Sequence, residues 1–417
     1  MKKILLIFLF PIQLVFAQQA LPLDSCYVWA RKNYPNLKQS ELWQEITNLK
    51  KKNLGNNYLP DVTLNGQASY QSAVTKLPIS IAGVSIPSVS KDRYNAYAEL
   101  QQSIWDGGVT QSGKSLEDAI LKSHLSELEV ELYKLKEQVA QAFFTSLIAE
   151  QQKTVIHAQI KTINERLRMV ESGIKNGVLE KSDALVLQAE ILNLEQSIIE
   201  LDAAKNAAMQ MLSILTGAHF SQNTKLTFRP ISSDDQAEIL RPEFDLFARQ
   251  RNQLGMQKAL LSKTRNPKLY SFGKVGYGKP GLNVLLDEFK GYYLFGVGVS
   301  WNAFDWKSTA RQKQVLQVQQ EMLQSQEATF IQNLQLLLVQ QKEQISKLKT
   351  MLENDEKMVA LRTEITKSAA SKLENEIITT SDYIRELQAE TVAKQNLELH
   401  KIQLNQAWEK YNLIKGK

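Results

Sequence analysis

The sequence predicts a mainly helical protein with a smaller, strand-built part that has one apolar and one polar face. Three observations carry this. The ten prolines avoid 88–229 and 281–417, and a proline inside a helix costs about 3 kcal/mol, so these gaps can hold long helices. Segments ahead of the helical tracts alternate apolar and polar residues with a period of two. Landmarks recur at one fixed offset of 199 residues, which makes the chain two copies of one plan.

The chain opens with a secretory leader, expected at 1–17. Lys2 and Lys3 form a basic start, Ile4 to Phe16 are almost wholly apolar, and Val15 and Ala17 fit the −3 and −1 cleavage positions. The apolar run is too short to span a membrane, and Gln18 is the expected mature start. Loss of Lys2 and Lys3 lowers the net charge from +6 to +4, too mild to argue for nucleic acid. Cys26 is the single cysteine, so no internal disulfide can form. A lipoprotein reading of Leu23-Asp24-Ser25-Cys26 is disfavoured, because Asp24 stands where a small neutral residue is wanted. Past the leader no apolar run reaches 18 residues, so the chain is secreted or enters a membrane without apolar helices.

In the first copy, Val62, Leu64, Gly66, Ala68 and Tyr70 alternate with Asp61, Thr63, Asn65, Gln67, Ser69 and Gln71. Tyr94, Ala96, Ala98, Leu100 and Ile104 alternate with Asn95, Glu99, Gln101 and Ser103, giving a hairpin at about 59–105. A helical hairpin of about 107–217 follows, its first helix running from about 109 to 172, roughly 95 Å at 1.5 Å per residue. Leu128, Leu132, Leu135, Val139 and Ala142 keep a coiled-coil-like spacing in it. No ordinary globular domain is that wide, so a rod or tube is expected. The first copy occupies 18–225, and the linker around 218–242, with Pro230 and Pro242, divides the halves.

The second copy, 226–417, repeats the plan, with a hairpin at about 267–303 and a helical hairpin at about 306–415. Tyr293, Phe295, Val297, Val299 and Trp301 alternate with Gly296, Gly298 and Ser300. The partner strand near 268–279 alternates poorly and is inferred by position. Trp105-Asp106 aligns with Phe304-Asp305, Asn176 with Asn375, Ser182 with Ser381 and Asp183 with Asp382. Strands of about ten residues with one lipid-compatible and one wet face suit a transmembrane β-barrel, although alternation alone fits soluble hairpins equally well. The leader and the missing apolar helices favour an outer membrane. Four strands cannot close a barrel, and open edges are not tolerated in lipid, so several protomers would share one.

Catalytic, cofactor and metal sites are not expected. His124, His157, His219 and His400 are scattered and read as surface or tube-wall residues. Met209 and Met211 could suggest soft-metal export but fit helix packing better. At the paired phrases SDALVLQAE and SDYIRELQAE, capping alone would have Gly177 end one helix and Ser182 or Asp183 accept the first N–H groups of the next.

Ordered along the chain, LPLDSCYVWARKNYPNL, YLPDVTLNG, SIWDGG, NGVLEKSDALVLQAE and TRNPKLYSFG resemble motifs of the TolC family of outer-membrane efflux ducts. The resemblance covers nearly all of the mature chain. It implies a homotrimer in which each protomer gives four transmembrane strands to one shared barrel of about twelve, continued by a helical tube through the periplasm. It also implies passive conduction of substrate delivered by an inner-membrane transporter and a periplasmic adaptor protein, in contact with outer-membrane lipid. Gly177, Val178, Leu179, Ser182 and Asp183 of the first copy, and Asn375, Ser381 and Asp382 of the second, would form hairpin tips where the adaptor docks. Asp382 matches an acidic position at the entrance constriction. Arg385 stands where some members carry a second acid, so the ring is mixed or internally paired. Leu373 and Ile378 replace polar residues that latch the closed tip in some members. Two competing readings are a periplasmic adaptor and a secreted coiled-coil structural protein. Two matched helical hairpins, each with amphipathic strands, count against both.

Overall fold

The computed structural model describes residues 20–74, 90–221, 224–229 and 238–417. The expected leader with its cleavage site and Pro230 lie outside these residues. Seven helices are described: α1 Leu23–Asn33, α2 Gln39–Gly55, α3 Val109–Lys175, α4 Lys181–Thr216, α5 Pro242–Lys263, α6 Ser308–Glu374 and α7 Thr380–Lys415. Six strands accompany them: β1 Leu21–Pro22, β2 Asp61–Tyr70, β3 Asp92–Trp105, β4 Leu226–Thr227, β5 Lys268–Lys279 and β6 Lys290–Ser300. α3 and α6 have 67 residues each and α4 and α7 have 36 each, all four pairs of ends separated by the 199-residue offset.

The chain divides into two compact units that cut across the two copies. One takes the chain up to Leu37 with Leu128–Pro242 and Thr329–Lys417; the other takes Lys38–Glu127 and Glu243–Ala328. In the first unit, Cys26, Val139, Phe143, Phe144 and Leu212 are fully buried in one core, which also takes in Leu135, Ala142 and Met209. The seam expected on α3 is therefore buried as read, with Leu128 and Leu132 also nearly inaccessible. Met209 packs in this core while Met211 stays half exposed. A second core holds Ile163, Leu187, Tyr383, Ile384 and Leu387. His400, read as a surface or tube-wall residue, has its side chain mostly covered, with Nδ1 2.6 Å from Asp355. α3 runs three residues past its expected end, because Gly173 does not break it. Leu179 folds over Gly173, where a Cβ would lie 2.7 Å from its Cδ1.

The second unit holds an antiparallel sheet in the order β2-β3-β5-β6. Its register joins the two copies through β3 and β5 and makes each face continuous. On one face, Leu64 pairs with Ala98, Ala98 with Val275 and Val275 with Tyr293. On the other, Thr63 pairs with Glu99, Glu99 with Lys274 and Lys274 with Leu294. Among the described strand residues, the apolar face carries charge only at Asp92 and Lys279, both at one end. Weak alternation in β5 has a steric cause: the rings of Phe272 and Tyr270 occupy the space beside Gly296 and Gly298, where a Cβ would lie 2.5 Å from a ring atom. Glycine replaces a polar partner there, so the pattern blurs. A bulge between Ser103 and Trp105 turns Trp105 to the face of Leu269, after Ile104 leaves the ladder.

An aspartate turns each long sheet strand into its long helix. Asp106 accepts from the N–H groups of Gly108 (2.9 Å) and Thr110 (2.6 Å) and from the Tyr58 hydroxyl (2.7 Å). Burial opposes its ionisation, but the bonds from Thr110, Tyr58 and Gly108 outweigh this and lower its pKa to about 2. Asp305 does the same for α6, accepting from Thr309 N–H at 3.0 Å and pairing with Arg265.

Candidate functional site: the two helix-to-helix turns

Both turns lie in the first unit. α3 ends in a Schellman turn: Val178 N–H donates to Gly173 O and Gly177 N–H to Ile174 O, each 3.0 Å, with Gly177 at φ +72°. The turn after α6 repeats these bonds through Ile377 and Lys372 (2.9 Å) and through Glu376 and Leu373 (3.0 Å). There Glu376 takes the left-handed conformation at φ +58°. Asn375 steadies it by donating from Nδ2 to Ser371 O at 2.8 Å. Gly177, Val178, Asn176 and Asn375 are exposed, while Leu179 packs inward with Leu373 and Ile378.

Capping departs from the sequence reading. Neither Ser182 nor Asp183 accepts an N–H of the following helix. The N-cap of α4 is Glu180, without a side-chain cap bond, and Ser182 Oγ donates to Glu180 at 3.2 Å. In the second turn Thr379 is the cap, and Asp382 is its return partner. Asp382 N–H donates to Thr379 Oγ1 (3.1 Å), while Thr379 N–H (3.2 Å) and its hydroxyl (2.7 Å) donate to the Asp382 carboxylate. The cap therefore sits at the start of a Thr-x-x-Asp capping box, three residues before the aspartate. Ser381 is exposed beside it.

Asp183 instead joins the two turns: the Thr380 hydroxyl donates to its Oδ1 at 2.6 Å. A little deeper, Gln388 donates to Glu190 at 2.6 Å. Arg166 is nearly buried; it bonds Glu374 at 3.0 Å and Ala370 O at 3.0 Å, and lies 5.3 Å from the Tyr383 ring centre. Asp382 pairs with Arg385 on its own helix. Hydrogen bonds from Thr379 hold its carboxyl below the ordinary range, and Arg385 adds to this. The structure thus brings Asp183 to Thr380 and Asp382 to Arg385. Arg166, Glu376, Thr379 and Thr380 were missed in the sequence. Thr379-x-x-Asp382 carried a readable signal; Arg166 carried none. Among the described residues no cluster of three His, Cys, Asp or Glu side chains could hold a metal ion.

The fold described above, a four-stranded two-faced sheet whose strands run into paired long helices, is similar to those of solved outer-membrane channels. The crystal structure of the channel-forming CusC matches at TM-score 0.70 and 12% identity, covering 94% of this chain and 91% of that one. The CmeC outer membrane channel of Campylobacter jejuni matches at 0.65 and 14%, covering 94% and 85%, and the outer membrane protein VceC of Vibrio cholerae at 0.65 and 13%, covering 94% of each. Residues 27–218 match the family described as outer membrane efflux protein. The likeness to efflux proteins read from the sequence thus stands on the family match for the first copy, and on fold for nearly the whole chain. No curated protein matches the chain.

Proposed function

We propose that the protein is the outer-membrane duct of a tripartite efflux or secretion system, a passive conduit that needs no catalytic step. The efflux-family match and the channel fold support an outer-membrane channel; the sheet carries the finer reading. Its apolar face is exposed, with Leu64 84% and Val297 72% accessible, and it is bounded by aromatics at Tyr70, Tyr277 and Tyr293 and at Trp105 and Trp301. Tyr293 to Trp301 spans about 26 Å along a strand at ~3.3 Å per residue, close to the apolar band of an outer-membrane barrel. Among the described strands β2 and β6 have one neighbour each, so both edges are open. In lipid such edges must pair, and three copies would close a barrel of about twelve strands.

On this reading the polar face lines the lumen, and the helices continue the duct into the periplasm. The Gly177–Asp183 and Asn375–Asp382 turns are docking tips for a periplasmic adaptor, with an inner-membrane transporter delivering substrate. Each copy of the plan supplies one strand hairpin and one helical hairpin. Membrane fractionation with mass measurement in detergent tests the reading. An outer-membrane trimer that conducts ions in planar bilayers supports it, and a soluble periplasmic monomer overturns it.

A further inference from the structure

The two faces of the sheet are unlike in charge. By register, the polar face carries Arg93, Lys268, Lys274 and Lys290 against only Asp61 and Glu99, four cations to two carboxylates. Glu99 stands directly opposite Lys274, yet the Lys274 ammonium lies over the Tyr97 ring, 3.3 Å from its centre, on the same face. Arg93 keeps a buried Nε with no hydrogen-bond partner. Lys290 pairs with Glu288 at 2.7 Å, but both side chains are more than half exposed, and such a pair is weak and screened by salt.

We propose that this wall gives the duct a preference for anions, so that its barrel passes anionic solutes more readily than cationic ones. The inference rests on the duct reading, because only in a closed barrel does the polar face surround a lumen. Three copies would line one lumen with the same excess, spread along its length, and a low-dielectric wall focuses the field of like charges across a narrow water column. The Debye length is about 10 Å at 0.1 M salt and about 3 Å at 1 M, so the preference should be strong in dilute salt and fade in concentrated salt.

The test uses the full assembled protein in planar bilayers under a potassium chloride gradient. A reversal potential showing chloride more permeant than potassium is expected. The double variant Arg93→Gln with Lys274→Gln should lower the chloride-to-potassium ratio at least about twofold. Lys274→Arg should leave it unchanged, and Lys268→Gln gives a second readout at the strand's end if the double variant fails to assemble. Conductance that favours potassium, or a ratio none of these neutralising variants moves, overturns the anion preference while leaving the duct standing. No conductance at all overturns the duct reading and this inference with it.

Discussion

At the residue scale, the two copies solve the same turns with different amino acids. Gly107, Gly108 and Gly177 have positive φ, and 199 residues later Trp306, Lys307 and Glu376 hold the same left-handed conformation with side chains attached. That conformation costs an ordinary residue roughly 1–2 kcal/mol. Glu376→Gly should therefore raise stability by up to about 1 kcal/mol, reduced by the extra freedom glycine gives the unfolded chain. Gly177→Ala should lose about 1 kcal/mol from backbone conformation alone, since nothing lies within 4 Å of the added Cβ. Thermal unfolding in detergent would read both, and opposite signs are expected. Asp106 offers a pH test. Its folded pKa, about 2, lies below the ordinary 3.8, so its contribution is present above pH 4 and lost as pH falls toward 2. The stability gap between the native chain and Asp106→Asn, on the order of 2 kcal/mol at neutral pH, should close across that window. Cys26 is fully buried in the first unit's core, and burial pushes its thiol up to about 12. Cys26→Ala should leave membrane association unchanged when fractions are compared.

At the element scale, the turns link two helical hairpins through the Thr380–Asp183 bond. Removing the hydroxyl, as in Thr380→Val, takes the donor from a partly exposed carboxylate and should cost about 1 kcal/mol while preserving each helix. If the turns are docking tips, Asp382→Ala should weaken adaptor-dependent efflux with trimers intact; loss of trimers would make the residue structural. Much at this scale was legible. Proline and glycine placement marked the long helices, and the offset marked equal lengths, because these are local backbone constraints written in single residues. β5 was harder, since its Tyr and Phe rings are answered by glycines on β6, a cross-strand relation no window of sequence displays. The caps were misassigned for a similar reason. Asp183 and Asp382 look alike in the chain, but one reaches another hairpin and the other closes its own capping box. Which of these happens depends on what the fold brings near, and Glu180 and Thr379 decide it differently in the two copies.

At the scale of the whole molecule, the single chain leaves too much apolar surface uncovered to be a finished object in water. Besides the sheet face, Val315, Val318, Met322, Leu336 and Val339 of α6 are each more than half exposed. Their numbers fall on one heptad register, the spacing by which a helix presents a seam to a neighbouring helix. Among the described residues nothing covers most of these side chains, and fully burying each would contribute about 1.5–3 kcal/mol. A second copy of the chain, related by the symmetry that closes β2 against β6, would present a matched helix to that seam. The duct reading therefore ties helix packing to strand pairing: both must be satisfied by the same assembly. Substituting Leu336 and Val339 together with glutamate should spare the folded protomer, because both side chains already face solvent, yet it should break the assembly. Light scattering in detergent would then report the mass of one mature chain where the unaltered protein gives about three, with helix content by circular dichroism unchanged. A trimer surviving both glutamates would remove α6 from the interface and leave strand pairing to hold the copies by itself.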